Sequence, residues 1–115
     1  MSQNSTEALI GKAWQTHQAG RNADAIREFE QLVSANPENV DAYYGLGLAQ
    51  RASGQPAAAQ ASWERALMLA TTKLDAIRGI HKNEHNAETL DDDRYMMLIR
   101  MISQRIEEVS VQRPV

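Results

Sequence analysis

The sequence predicts an all-α chain of helical hairpins stacked on one another, and three observations predict it. The first is an internal repeat. With the sequence displaced by 34 residues, Gly20 falls on Gly54, Ala25 on Ala59 and Phe29 on Trp63, so that a glycine, an alanine five residues on and a large aromatic four further recur together. The second is spacing: apolar residues return every three or four positions, which places them on one face of a helix. The third is composition. Three prolines in 115 residues, and long runs of Ala, Leu, Glu, Gln and Arg, carry a low cost of helix formation. A helix-turn-helix unit of this length cannot bury its apolar face alone and does so by stacking on a copy of itself.

Each element has its own start and stop signals. Asn4 or Ser5 can cap the first helix, with Glu7 in its first turn near the positive end of the helix dipole. Leu9, Ala13 and Thr16 face its hairpin partner, and Gly20 ends it in the left-handed conformation that costs glycine little. Asn22 starts a second helix, in which Ala25, Ile26, Phe29, Leu32 and Val33 hold the helical period. The run Asn36-Pro37-Glu38-Asn39 breaks it, because proline lacks an N–H and disfavours helix at the residue before it. Asn39 caps a third helix from Val40 to about Ala52, and Ser53-Gly54-Gln55-Pro56 turns into a fourth with proline at its first position. Four alanines within residues 57 to 61 give that helix a face open to close approach.

Beyond Trp63 the apolar pattern Ala66, Leu67, Ala70, Leu74, Ile77, Ile80 runs past the point where the repeat should turn. Two readings stand: a fourth helix extended to about Lys82, or a break at Thr71-Thr72 that leaves a short degenerate third unit. Residues 83–89 are polar and read as a loop. Thr89 or Asp91 begins the last helix, where Asp91-Asp92-Asp93 suits a helix N-terminus electrostatically, with a cation site as the other reading. From Arg94 to about Ser110, Tyr95, Leu98, Ile99, Ile102, Ile106 and Val109 form one stripe, and Met96, Met97 and Met101 add apolar area beside it. The stripe suits a cap over the exposed side of the second unit, and residues 111–115 read as a frayed tail.

At these positions the chain resembles the tetratricopeptide repeat family. The first unit matches at Leu9, Ala13, Gly20, Ala25, Phe29, Leu32 and Pro37, and the second at Tyr43, Leu46, Gly47, Gly54, Ala59, Trp63 and Ala66. It departs at Lys12, Thr16 and Gln50, where large apolar residues are usual, and at Thr71, where the family's proline would fall. The resemblance implies one domain over residues 1–115: repeat one 6–39, repeat two 40–73, and an extension with a capping helix over 74–110. It implies a right-handed superhelical stack of antiparallel hairpins, a scaffold for protein binding, with no catalytic residue and no cofactor.

Composition narrows the class. The formal charge of −3, from 12 basic and 15 acidic residues interspersed along the chain, provides no phosphate-tracking field and argues against nucleic acid. No window reaches 18 consecutive apolar residues and the N-terminus lacks the pattern of a secretory signal, so no membrane role and a cytoplasmic location are expected. With no cysteine there is no disulfide, thiol nucleophile or thiolate metal site.

One segment carries a chemical motif. His81-Lys82-Asn83-Glu84-His85 satisfies the H-x-x-E-H pattern of inverted zinc peptidases, in which two imidazoles four residues apart share a zinc and a glutamate activates water. The competing expectation is that these are surface residues and that no metal is bound, because the motif sits where helix gives way to polar loop and Glu88 is the nearest candidate for a third ligand. The alternative function is accordingly a small metal-binding protein or zinc hydrolase. Gly45-Leu46-Gly47 lacks both the third glycine and the preceding strand of a dinucleotide site.

Phe29, Tyr43 and Trp63 fall on the family's packing positions and are expected in the core. Trp14 and Tyr44 do not, and the resemblance places them on the concave side. Ile10, Trp14 and His17 on the first helix and Tyr44, Leu48 and Arg51 on the third then form adjacent ridges rimmed by Glu7 and Asp41, an apolar groove for a peptide or helix. Ile10, Trp14 and Gly45 stand where a chaperone-type clamp for a C-terminal carboxylate would need basic and amide side chains, so no such clamp is expected. Three occupants stay open: a segment of a protein partner, a second copy in a homodimer, and the chain's own methionine-rich last helix.

Overall fold

The computed structural model describes residues 5–80 and 90–112. Its described residues form five helices: α1 (Thr6–Gln18), α2 (Asn22–Ala35), α3 (Val40–Ala52), α4 (Pro56–Ile80) and α5 (Leu90–Gln112). The fold is all-α, as the repeat period predicts. Ser5 caps α1 by accepting a hydrogen bond from the Ala8 N–H at 3.2 Å, and Asn39 caps α3 by accepting one from the Ala42 N–H at 2.9 Å. The turns within the two hairpins are copies of each other: Gly20 and Gly54 both sit at positive φ, 83° and 78°, where a Cβ would be strained. Asn22 does not cap α2. Its amide donates across the stack to the Ala52 carbonyl at 3.4 Å, tying the first hairpin turn to the end of α3.

Two apolar clusters share α3. In the first, Ala13, Ala25, Phe29 and Leu32 of α1 and α2 pack against Ala42, Leu46 and Ala49. In the second, Val40 joins Ala59, Trp63, Ala66 and Ala70 of α4 and Ile102 and Val109 of α5. Tyr43, expected in the core with Phe29 and Trp63, is half-buried at the edge of this cluster, whereas Phe29 and Trp63 are fully buried. Of the two readings of Thr71-Thr72, the continuous helix is observed: with alanine and leucine still on the buried face at Ala70 and Leu74 and no proline to stop it, α4 runs through to Ile80.

The departures from the repeat pattern acquire physical reasons. Lys12 is exposed and Thr16 half-buried, with the Thr16 hydroxyl donating to the Lys12 carbonyl at 3.0 Å. Both lie on the outer side of the first hairpin, on a polar surface shared with Arg21, Asp24, Arg27, Glu28 and Gln31. Leu9 faces α2, as expected, but from the surface. It is 37% exposed and lines a surface cavity of about 350 Å³ with Lys12, Glu28, Gln31, Leu32, Ala35 and Asn36. Gln50, at a usually apolar position, is buried and accepts a 2.6 Å hydrogen bond from the Ser62 hydroxyl, so a satisfied polar pair replaces an aromatic contact.

The placement of α5 follows from its pairs. Arg94 near its start meets Asp41 near the start of α3 at 3.1 Å, and Glu108 near its end meets Arg51 near the end of α3 at 2.8 Å. It therefore runs parallel to α3 and antiparallel to α4, and stands beside α3 as α3 stands beside α1. That is the position of the first helix of a further unit.

Candidate functional site

The shared face of α1 and α3 brings the six groove candidates together. Ile10, Trp14 and His17 recur at spacings of four and three, as do Tyr44, Leu48 and Arg51 one repeat later, and all six are half-buried. Trp14 is the hub. Its ring lies 5.8 Å, edge-on, from the buried Phe29, 6.0 Å from His17 and 6.4 Å from Tyr44, so the two ridges meet at an aromatic pair contributed by different helices.

Two glycines set the backbone of α3 close to its neighbours and so fix where Tyr44 and Leu48 project. A Cβ at position 45 would strike the Phe29 ring, and one at position 47 would lie 2.6 Å from Trp63 Cε2 and nearer still to Nε1. The absence of those atoms lets α2 and α4 seat their large aromatics against two different faces of α3. The Trp63 indole N–H then donates to the Tyr44 carbonyl at 3.1 Å, locking the register of α3 against α4.

The charges around this face are engaged with α5. Asp41, a rim residue in the sequence reading, pairs with Arg94, and Arg51 both pairs with Glu108 and lies over the Trp63 ring at 5.3 Å. Glu108 is held on its other oxygen by Arg105 at 2.8 Å. Sequence reasoning singled out the apolar stripe of α5 and missed this second face. Its signal is present all the same: Arg94, Leu98, Met101, Arg105 and Glu108 recur at spacings of four, three, four and three, the pattern of one helix face. Met96, Met97 and Met101 are exposed, Met97 most of all at 63%.

The H-x-x-E-H segment at residues 81–85, and Glu88, lie outside the described residues. Among the described residues no group of three or more His, Asp or Glu side chains is placed to hold a metal ion. Asp92 is buried, at 2% exposure, while its neighbour Asp93 is exposed, a difference the run of three aspartates could not foretell. No helix among the described residues is long and apolar enough to cross a membrane.

Residues 18–67 match the family model described as a tetratricopeptide repeat. No curated protein matches the chain significantly. Among solved structures, the type III secretion translocator chaperone SycD of Yersinia enterocolitica is similar in fold, with a TM-score of 0.55 at 18% identity over 97% of this chain and 88% of that one. The match over residues 18–67 agrees with the 34-residue period and the stacked hairpins, and identifies tetratricopeptide repeats in that part of the chain.

Proposed function

We propose that this chain is a non-catalytic, cytoplasmic interaction module that receives an apolar peptide or amphipathic helix of a partner protein along the face of α1 and α3. The observation that carries the reading is the Trp14–Tyr44 pair: two aromatics from consecutive repeats lie 6.4 Å apart and both remain half-exposed. Aromatic anchors in partly desolvated surroundings are the residues that dominate binding energy, and Ile10 and Leu48 flank them as the apolar wall of a helix-in-groove site. His17 and Arg51 supply polar contacts at one end.

The occupant is a partner segment rather than the chain's own last helix, because α5 engages the α3 row from beside it while Ile10 and Trp14 pack with α1, α2 and α3. Replacing Trp14 and Tyr44 by alanine should weaken association by about 2 kcal/mol or more per anchor, with helicity by circular dichroism retained. Sedimentation of the same variants separates a partner from a second copy. A double variant that keeps full association with its partner would remove this face as the functional surface.

A further inference from the structure

Resting on the proposed groove, a second feature of the structure describes the chemistry of what lies in it. Arg51 closes the α3 ridge one turn beyond Leu48, and Arg105 stands one turn beyond Met101 on the face of α5 that is turned toward α3. The two guanidinium groups share one carboxylate. Glu108 accepts from Arg51 Nη1 through one oxygen at 2.8 Å and pairs with Arg105 Nη2 through the other at 2.8 Å. Two positive charges and one negative leave the cluster with an excess of one. All three side chains are partly open, at 33% for Arg51, 25% for Arg105 and 36% for Glu108.

The arginines have donors to spare. A guanidinium carries five N–H groups in a planar fork matched to carboxylate oxygens, and each arginine meets Glu108 through one Nη, Arg51 by Nη1 and Arg105 by Nη2. Arg51 is held between the Trp63 ring, 5.3 Å away, and Glu108, so its orientation is preset and little side-chain freedom remains to be lost on binding. The opposite end of the face differs. There Arg94 is matched by Asp41 and Glu7 stands exposed, so the local balance is negative. The groove therefore has a basic end and an acidic end.

We propose that the Arg51–Arg105 pair receives an aspartate or glutamate side chain of the partner segment, at the end of the groove beyond Leu48. A side chain rather than a terminal carboxylate is the ligand, because Met101, Leu98, Leu48 and Tyr44 offer apolar surface to a segment of several turns. A charge matched to Arg51 and Arg105 fixes the direction in which that segment lies.

The test uses a displayed library of random 14-residue peptides with the C-terminus fused to the carrier, so that every carboxylate selected is a side chain. Selection on the whole chain should enrich peptides with apolar residues at helical spacing and an acidic residue at one fixed end. For a synthetic enriched peptide with both termini blocked, Glu→Gln at that position should lower affinity about tenfold. Arg51→Gln and Arg105→Gln in the protein should each weaken the Glu peptide comparably and weaken the Gln peptide at least threefold less. The free-acid form of the peptide should bind within threefold of the amide. Peptides that depend on Trp14 and Tyr44 but show no acidic preference would overturn the anion site while leaving the groove in place. If no selected peptide is sensitive to Trp14→Ala and Tyr44→Ala, the groove itself is overturned and the anion site with it.

Discussion

Gly47→Ala adds one methyl group where the structure has least room for it. Position 47 lies inside α3, where alanine instead of glycine favours the helix by about 1 kcal/mol. Against that gain stands the Trp63 ring, whose Cε2 would be 2.6 Å from the new Cβ and which is wholly buried, with nowhere to retreat except by displacing α4. Overpacking of this kind costs about 1–3 kcal/mol. If the ring moves, the 3.1 Å bond from its N–H to the Tyr44 carbonyl is also strained, and a bond of that type contributes about 1 kcal/mol. The net expectation is destabilisation by about 1–3 kcal/mol. At roughly 4 °C per kcal/mol for a domain of this size, that lowers Tm by about 4–12 °C. Gly11→Ala in α1 is the control, because no atom lies within 4 Å of a Cβ there and only the helix-propensity gain remains. The two substitutions, measured by thermal and urea melts, should have opposite signs. A Gly47→Ala variant as stable as Gly11→Ala would refute the close approach of α4 to α3.

Three other outcomes follow from the same packing. Ser62→Ala removes the donor that satisfies the buried Gln50 Oε1 and should cost about 1–3 kcal/mol, while Gln50→Leu combined with Ser62→Ala should recover most of it in urea melts. Deletion of residues 90–115 uncovers the α4 face packed against Ile102 and Val109, both fully buried and worth about 1.5–3 kcal/mol each. With the flanking apolar residues lost as well, the deletion approaches the stability of a whole small domain, so an aggregating or partly unfolded product is expected in sedimentation and a cooperative melt at unchanged temperature is not. Asp41→Asn breaks a partly exposed pair with Arg94 and should change stability by less than about 1 kcal/mol, read from the same melts.

How much of this was legible in the sequence varies with the interaction concerned. The hairpins, the caps at Ser5 and Asn39 and the turn glycines depend on local chemistry, and local chemistry is written in neighbouring residues. The close approach at Gly47 was legible too, because a helix-interior glycine one repeat after Ala13 signals a packing demand. What stayed hidden lies between residues far apart in sequence. Nothing near Arg51 announces Glu108, 57 residues on, and nothing near Asp41 announces Arg94. Leu9 was legible as a residue facing α2, but its exposure there was not. Gln50 looked like a departure until Ser62, twelve residues later, was seen opposite it.

The central claim is that the face carrying Trp14 and Tyr44 is where this chain meets its partner. Photo-crosslinking tests it most directly, with a photoreactive phenylalanine placed in turn at position 48, on the α3 ridge, and at position 61, on the exposed side of α4. Irradiation should give a discrete crosslinked product from position 48 that is lost when Trp14 and Tyr44 are both alanine, and none from position 61. Equal products from the two positions, or a product from position 48 that survives the double substitution, would contradict the account.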